Sequence, residues 1–266
     1  MIRLLILSAV IVCALGASLR NETSSFFEGR IIGGYPVNIG NIPYQVSVRT
    51  YGSHSCGGSI LNENTVVTAA HCTSDFLTMI LDLLLNVFSV RVKSSYHASG
   101  GQVIRVAKII QNPQYNSQTV DYDISLLKLE KALTFGDGVQ PIPLLNSGDV
   151  VPDGDLITVS GWGRLSENGP IPSQLQAIKI PKMNDVVCQN ALMVTDAPMT
   201  DRKLCAGTLS GGNNTCYGDS GGPAVWNGVL VGIVSYSING CARTNYPTVY
   251  TKVANPEIMI WINNNL

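Results

Sequence analysis

The sequence predicts an all-β fold, a barrel or sandwich, from Ile31 to the C-terminus. The apolar runs YQVSV, QVIRVAKII, ITVSGWG and GVLVGIVSYS are short, and clusters of Gly, Pro, Asn and Asp separate them, as in strands joined by turns. One helix is expected, at the C-terminus, where Pro256 suits a first turn and Ile258, Met259, Trp261 and Ile262 can share a buried stripe. Nothing repeats at a fixed period.

The elements in chain order add processing signals. Arg3, the mostly apolar run Leu4–Leu15 and the small residues Gly16 and Ala17 have the layout of a secretory signal peptide, with cleavage expected after Gly16. The run is too short to span a hydrocarbon core comfortably, and a Ser-rich polar stretch follows it. Residues 17–30 are polar, lack apolar periodicity and end on Arg30, and they are read as a propeptide. Residues 31–266 then form the folded part of a secreted, extracellular protein.

The 266 residues are enough for a substantial apolar core. There are 17 Lys+Arg against 18 Asp+Glu, and 13% of residues are charged, so no electrostatic footprint for nucleic acid or an acidic membrane stands out. Of the seven cysteines, Cys13 lies in the signal peptide. Cys56, Cys72, Cys188, Cys205, Cys216 and Cys241 remain, an even set that the secretory route oxidises, and spacing alone leaves their pairing open.

Three segments carry chemistry. Gly218-Asp219-Ser220-Gly221-Gly222-Pro223 follows Cys216-Tyr217, and glycines around a serine permit a tight turn that presents its hydroxyl together with backbone N–H groups. Alone, such a turn is usually just a loop. A hydroxyl needs a base beside it, and the chain has three histidines. His71 stands in the distinctive setting Thr68-Ala69-Ala70-His71-Cys72, whereas His54 and His97 read as surface-loop residues in Gly/Ser-rich surroundings. A third group must orient the imidazole. Asp121 and Asp123 both precede the apolar run Ile124–Leu129, and Asp123, adjoining it, is preferred.

Together these segments resemble the trypsin/chymotrypsin-type serine proteases, and arthropod gut trypsin-like members most closely. The resemblance runs from Arg30 to the C-terminus. It rests on Arg30-Ile31-Ile32-Gly33-Gly34, the Ala-Ala-His-Cys box, Asp123-Ile124, Ser160-Gly161-Trp162-Gly163, the Gly-Asp-Ser-Gly-Gly-Pro segment and Val249-Tyr250-Thr251-Lys252-Val253, all in the family's order. It implies two six-stranded antiparallel β-barrels with the active site between them, and the disulfides Cys56–Cys72, Cys188–Cys205 and Cys216–Cys241. It also implies a serine endopeptidase with Ser220 as nucleophile, His71 as general base and acid, and Asp123 orienting His71. The N–H groups of Gly218 and Ser220 would form the oxyanion hole, and Ser235 would bond Asp123. Cleavage after Arg30 would free the Ile31 amine to pair with Asp219.

Departures from the family pattern are as informative. The pocket-floor position that is Asp in trypsins is Asn214 here, and the two glycines that keep a trypsin pocket open match Ser237 and Thr248. A buried cation without a partner charge costs several kcal/mol, so weak or absent cleavage after Lys and Arg is expected. Small or medium neutral residues suit the pocket best, an elastase-like preference, with an aromatic ring admitted if the Ser237 side chain points away. Activation after Arg30 then requires another, tryptic protease.

Tyr236 replaces the tryptophan usual after Ser235 and is expected to reshape a neighbouring subsite. Asn213-Asn214-Thr215 and Asn21-Glu22-Thr23 are glycosylation sequons, the first expected to go unused. The apolar segment 76–87 admits three readings: a loop shaping the cleft, an interaction patch, or an artefact of an imperfect gene model. Residues 92–101 offer no carboxylates for the family's calcium loop, so no metal or other cofactor is expected. The expected partners are protein or peptide substrates, an activating tryptic protease and inhibitors of the serpin or Kazal type, acting on a monomer. The competing function is a catalytically silent homologue that serves as a binding or cofactor protein.

Overall fold

The apolar runs of the sequence become thirteen short strands in a computed structural model that describes residues 33–74 and 87–266. The expected signal peptide, the propeptide, Arg30 and Ile31, and segment 76–87 up to Asn86 lie outside the described residues. The strands are β1 (Tyr35–Pro36), β2 (Gln45–Thr50), β3 (Ser53–Asn62), β4 (Thr65–Thr68), β5 (Phe88–Val92), β6 (Gln102–Gln111), β7 (Ser125–Leu129), β8 (Leu156–Gly161), β9 (Gln176–Pro181), β10 (Lys203–Ala206), β11 (Pro223–Trp226), β12 (Val229–Ser237) and β13 (Thr248–Lys252).

β2-β3-β4-β7-β6-β5 closes into a six-stranded antiparallel barrel, β5 returning to β2 through pairs such as Val48↔Val90. The other strands form one antiparallel sheet in the order β1-β9-β8-β11-β12-β13-β10. The two-residue β1 is an addition at its edge. The isolated bridge Lys182↔Ala206, with Met183 N donating to Cys205 O at 2.8 Å, brings β10 back to the end of β9. Six strands thus close a second ring, and the predicted pair of six-stranded barrels is present.

Strand periodicity explains how the halves join. Successive side chains point to opposite faces, so Leu127 and Leu129 of β7 enter the first barrel's core with Val48, Ile60 and Phe88, while Leu126 turns outward. There Leu126 and Ile124 meet Val67 and Ala69 from the first half, Leu230 and Ile233 from the second, and Ile258 and Ile262 of the C-terminal helix α2 (Pro256–Asn264). This shared cluster fixes the two segments that carry His71 and Asp123 against the second barrel.

Helix α2 forms where the sequence placed it. Asn255 caps it, its side-chain oxygen accepting from Glu257 N at 3.0 Å and Ile258 N at 3.2 Å, a cap of about 1 kcal/mol. A second helix, α1 (Asp185–Leu192), was not expected. It buries only Cys188 and Leu192 and leaves Val186 and Val187 outward, so its apolar stripe is too thin to read. Its disulfide Cys188–Cys205 holds it to β10, and Cys56–Cys72 and Cys216–Cys241 complete the set implied by the family resemblance.

Candidate active site

His71 sits in a single 3-10 turn, Ala70–Cys72, immediately after β4, and Asp123 stands two residues before β7. The pair Thr68↔Ser125 lays these strand ends side by side. Asp123, 1% exposed, accepts from His71 N on Oδ1 at 2.8 Å, and its Oδ2 lies 2.8 Å from His71 Nδ1. Ser235 donates to the same Oδ2 at 2.5 Å, and Thr251 donates to the Asp123 carbonyl at 2.7 Å. A carboxylate so fixed selects the tautomer with the proton on Nδ1 and leaves the Nε2 lone pair free to take a proton. Asp121, the alternative acid, turns away to Arg202 at 2.8 Å.

Burial alone lowers the His71 pKa, but the charge of Asp123 and its hydrogen bond outweigh that, and the net effect is a rise above the ordinary 6.5. His71 contributes folding stability that is complete below about pH 6.5 and is lost as pH rises through its raised value. If His71 is the base, kcat/KM rises with pH on a limb centred above 6.5, and Asp123→Asn moves that limb to lower pH. A pH–rate profile of both proteins checks this.

The Ser220 segment is held by its carbonyls. Tyr217 O accepts from Arg164 N at 2.8 Å and Asp219 O from Gly222 N at 2.9 Å. In a trans peptide the N–H opposes the C=O, so both bonds turn the N–H groups of Gly218 and Ser220 the other way. An oxyanion hole needs backbone donors held in this way. Gly218 adopts φ +102°, which favours glycine. Ser220 O accepts from Gly57 N at 2.7 Å, and Cys56 beside Gly57 is bridged to Cys72 beside His71, so the serine and histidine segments are tied together.

His54 departs from its expected surface-loop setting. It belongs to β3, its Nε2 donates to Gly218 O at 3.1 Å, and Ser47 donates to its Nδ1 at 2.8 Å. Burial, then the neighbouring His97, lowers its pKa to about 4, so it stays neutral and keeps both bonds. Its position within the strand-like run before Gly57-Gly58 was the available signal. His97 is half-buried, its ring 5.4 Å from that of His54.

Asp219 is fully buried, accepting from Gly163 N at 2.7 Å and Cys216 N at 2.9 Å. Burial raises its pKa to about 6 against those two bonds. A Cβ on Gly161 or Gly163 would strike its carboxylate, which accounts for glycine at both positions of the Ser-Gly-Trp-Gly segment.

Beside Ser220 lies a pocket of about 170 Å³, walled by Thr215–Tyr217 and Val234–Ser237 and bridged by Cys216–Cys241. Asn214 and Thr248 lie beneath this lining, 3% and 0% exposed. Thr248 Oγ1 donates to Asn214 Oδ1 at 2.5 Å and stands 2.9 Å from Thr215 Oγ1 and 3.0 Å from Ser237 Oγ. The predicted pocket residues Asn214, Ser237 and Thr248 therefore form one hydroxyl–amide network, joined by Thr215, which the sequence reading did not single out. Thr215 is also the last residue of the sequon. It is buried, while Asn213 is exposed and touches Gly33. Among the described residues the one cluster of metal-type donors is Cys56, His71 and Cys72, and both sulfurs are consumed in their disulfide.

Two β-barrels with such a site between them define a serine-type endopeptidase. The family described as Trypsin matches residues 31–262. The chain is 40% identical to the vitellin-degrading protease of Bombyx mori, over 97% of this chain and 95% of that one. It is 40% identical to trypsin 5G1 of Aedes aegypti, over 97% and 96%, and 37% identical to trypsin delta of Drosophila melanogaster over the whole of both. The chain belongs to the trypsin family of serine endopeptidases.

Proposed function

We propose that this protein is a secreted serine endopeptidase, made as a zymogen, that cleaves after small or medium neutral residues. Ser220 attacks the peptide carbonyl, His71 takes its proton and returns it to the leaving amine, and water then hydrolyses the acyl-enzyme. Asp123 holds His71, and the N–H groups of Gly218 and Ser220 receive the oxyanion. The observation that carries the reading is the bonded series Ser235–Asp123–His71 beside two N–H groups already turned by their neighbours' carbonyl bonds.

A binding edge supports it. β11 pairs with β12 only as far as Ile233, so among the described residues Tyr236 and Ser237 are paired on the β13 side alone, with Ser235 at the bulge before them. An extended peptide can add to that free edge as a strand and drop the side chain before the scissile bond, P1, into the pocket. The network of Thr248 and Asn214 makes the pocket shallow and neutral. A Lys or Arg there would lack a counter-charge, at a cost of several kcal/mol.

The activation step follows from Asp219. Its buried carboxylate has only backbone donors among the described residues, and the ammonium freed by cleavage after Arg30 supplies the missing charge and lowers its pKa below about 6. Arg30→Gln is expected to leave the protein inactive after trypsin treatment, with Ile31 uncleaved in N-terminal sequencing.

The test is to cleave the purified chain after Arg30 with trace trypsin, remove the trypsin and profile hydrolysis across P1 residues, with Ser220→Ala as control. Cleavage after Ala, Val or Leu that the control lacks is the expected result. A free Ile31 terminus without any hydrolysis overturns the reading in favour of a silent homologue.

A further inference from the structure

Tyr236 stands where the family resemblance leads one to expect tryptophan, and its hydroxyl is committed. It donates to Ala197 O at 3.2 Å and accepts from Lys203 Nζ at 3.3 Å. Lys203 is the first residue of β10 and only 4% exposed. Its ammonium also donates to the carbonyls of Thr119 and Pro198, each at 2.8 Å, and lies 5.4 Å from the centre of the Tyr236 ring. Three oxygens from three segments thus cage one internal cation. The charged groups around it are Asp121, Arg202 and Asp123. Asp121 is tied to Arg202, whose guanidinium lies 4.5 Å over the ring of Tyr122.

The cage borders the peptide-binding edge, because Tyr236 lines the pocket beside Ser220 and is the middle residue of Ser235–Ser237. Thr119 opens the segment that leads to Asp123, in which Val120 and Tyr122 hold positive φ of 48° and 52°. Side chains alternate along an extended peptide. Along β12 the Ser235 and Ser237 hydroxyls bond Asp123 and Thr248, while the Tyr236 hydroxyl between them bonds Lys203. With P1 in the pocket, the residues two and four places before the scissile bond take the other face of the peptide, the face of the Tyr236 side chain.

We infer that the Lys203 ammonium, by filling the oxygen cage behind Tyr236, makes the protein reject cationic residues two and four places before the scissile bond. The carbonyls of Thr119 and Pro198 already hold the Lys203 ammonium and are not open to a second cation, and a further positive charge beside it is repelled. Lys203 is a specificity-determining residue that acts through Tyr236 and touches no reacting atom. Burial first, with Arg202 also lowering it and Asp121 and Asp123 opposing, brings its pKa down to about 8, so the rejection weakens above that pH.

The inference rests on the proposed peptidase reading, and binding separates the two. Ser220→Ala, cleaved after Arg30, is titrated calorimetrically with two peptides identical except for Leu or Arg at those two positions. Hydrolysis of the Leu peptide by the unsubstituted enzyme is measured alongside, so a failure of catalysis is seen as such. The Arg peptide is expected to bind at least about tenfold more weakly than the Leu peptide at pH 7, the effect of like charges brought together. Adding Lys203→Met should remove the gap, and Lys203→Arg should keep it. The gap should also shrink between pH 7 and 9.5 with Lys203 present, a readout that survives if Lys203→Met fails to fold. A gap that Lys203→Met leaves unchanged, an equal loss of both peptides, or a gap flat with pH overturns the inference.

Discussion

Asp123→Asn is expected to lower kcat by about 10⁴-fold while leaving the fold and KM nearly unchanged. The amide is isosteric and still accepts on its oxygen. Asp123, however, receives three donors on its carboxylate, from His71 N, His71 Nδ1 and Ser235 Oγ, and Asn has one acceptor oxygen for them. Its NH₂ group must face one of them. Turned toward Nδ1, it forces the proton to Nε2, and His71 can no longer take the proton of Ser220. The imidazolium also loses its buried counter-charge, so the pH–rate limb shifts down together with the rate. Steady-state kinetics and the pH profile check both effects, and a loss below about tenfold would remove Asp123 from the catalytic role.

The second large effect is a change of specificity that a single substitution does not achieve. Asn214→Asp alone places a carboxylate 3% exposed under Thr248, with no cation able to reach it. It is expected to destabilise the fold by several kcal/mol and to give no cleavage after Arg. Asn214→Asp combined with Ser237→Gly and Thr248→Gly removes the hydroxyls that cap it and opens a passage to the charge. The ratio of kcat/KM for Arg against Ala at P1 should rise by about 10³, equivalent to about 4 kcal/mol at the transition state. P1-matched peptides measure it. A triple variant that keeps its preference for Ala would show that the pocket walls, not this network, set specificity.

The strands, the C-terminal helix and the three chemical segments were legible because each is local. Short apolar runs between turn residues, glycine-flanked turns and a proline at a helix start are written in neighbouring residues. Helix α1 was not legible, because its stability comes from a cap and a disulfide to β10 rather than from an apolar stripe. His54 was misjudged for a related reason: its partners Ser47 and Gly218 come from another strand and from the second barrel.

The sequence alone supplied the proposed reacting groups and the amide, Asn214, at the expected pocket floor, since covalent composition decides which atoms can take protons or carry charge. Tertiary structure decided how those groups are arranged. It chose Asp123 over Asp121, because Arg202 neutralises the second while His71 and Ser235 surround the first. It joined Thr215 to Asn214, Ser237 and Thr248, and it set Lys203 in a cage of oxygens from three segments. Such choices are not local, because hydrogen bonds and charge pairs act over a few ångströms and only folding brings residues far apart in the chain within that range.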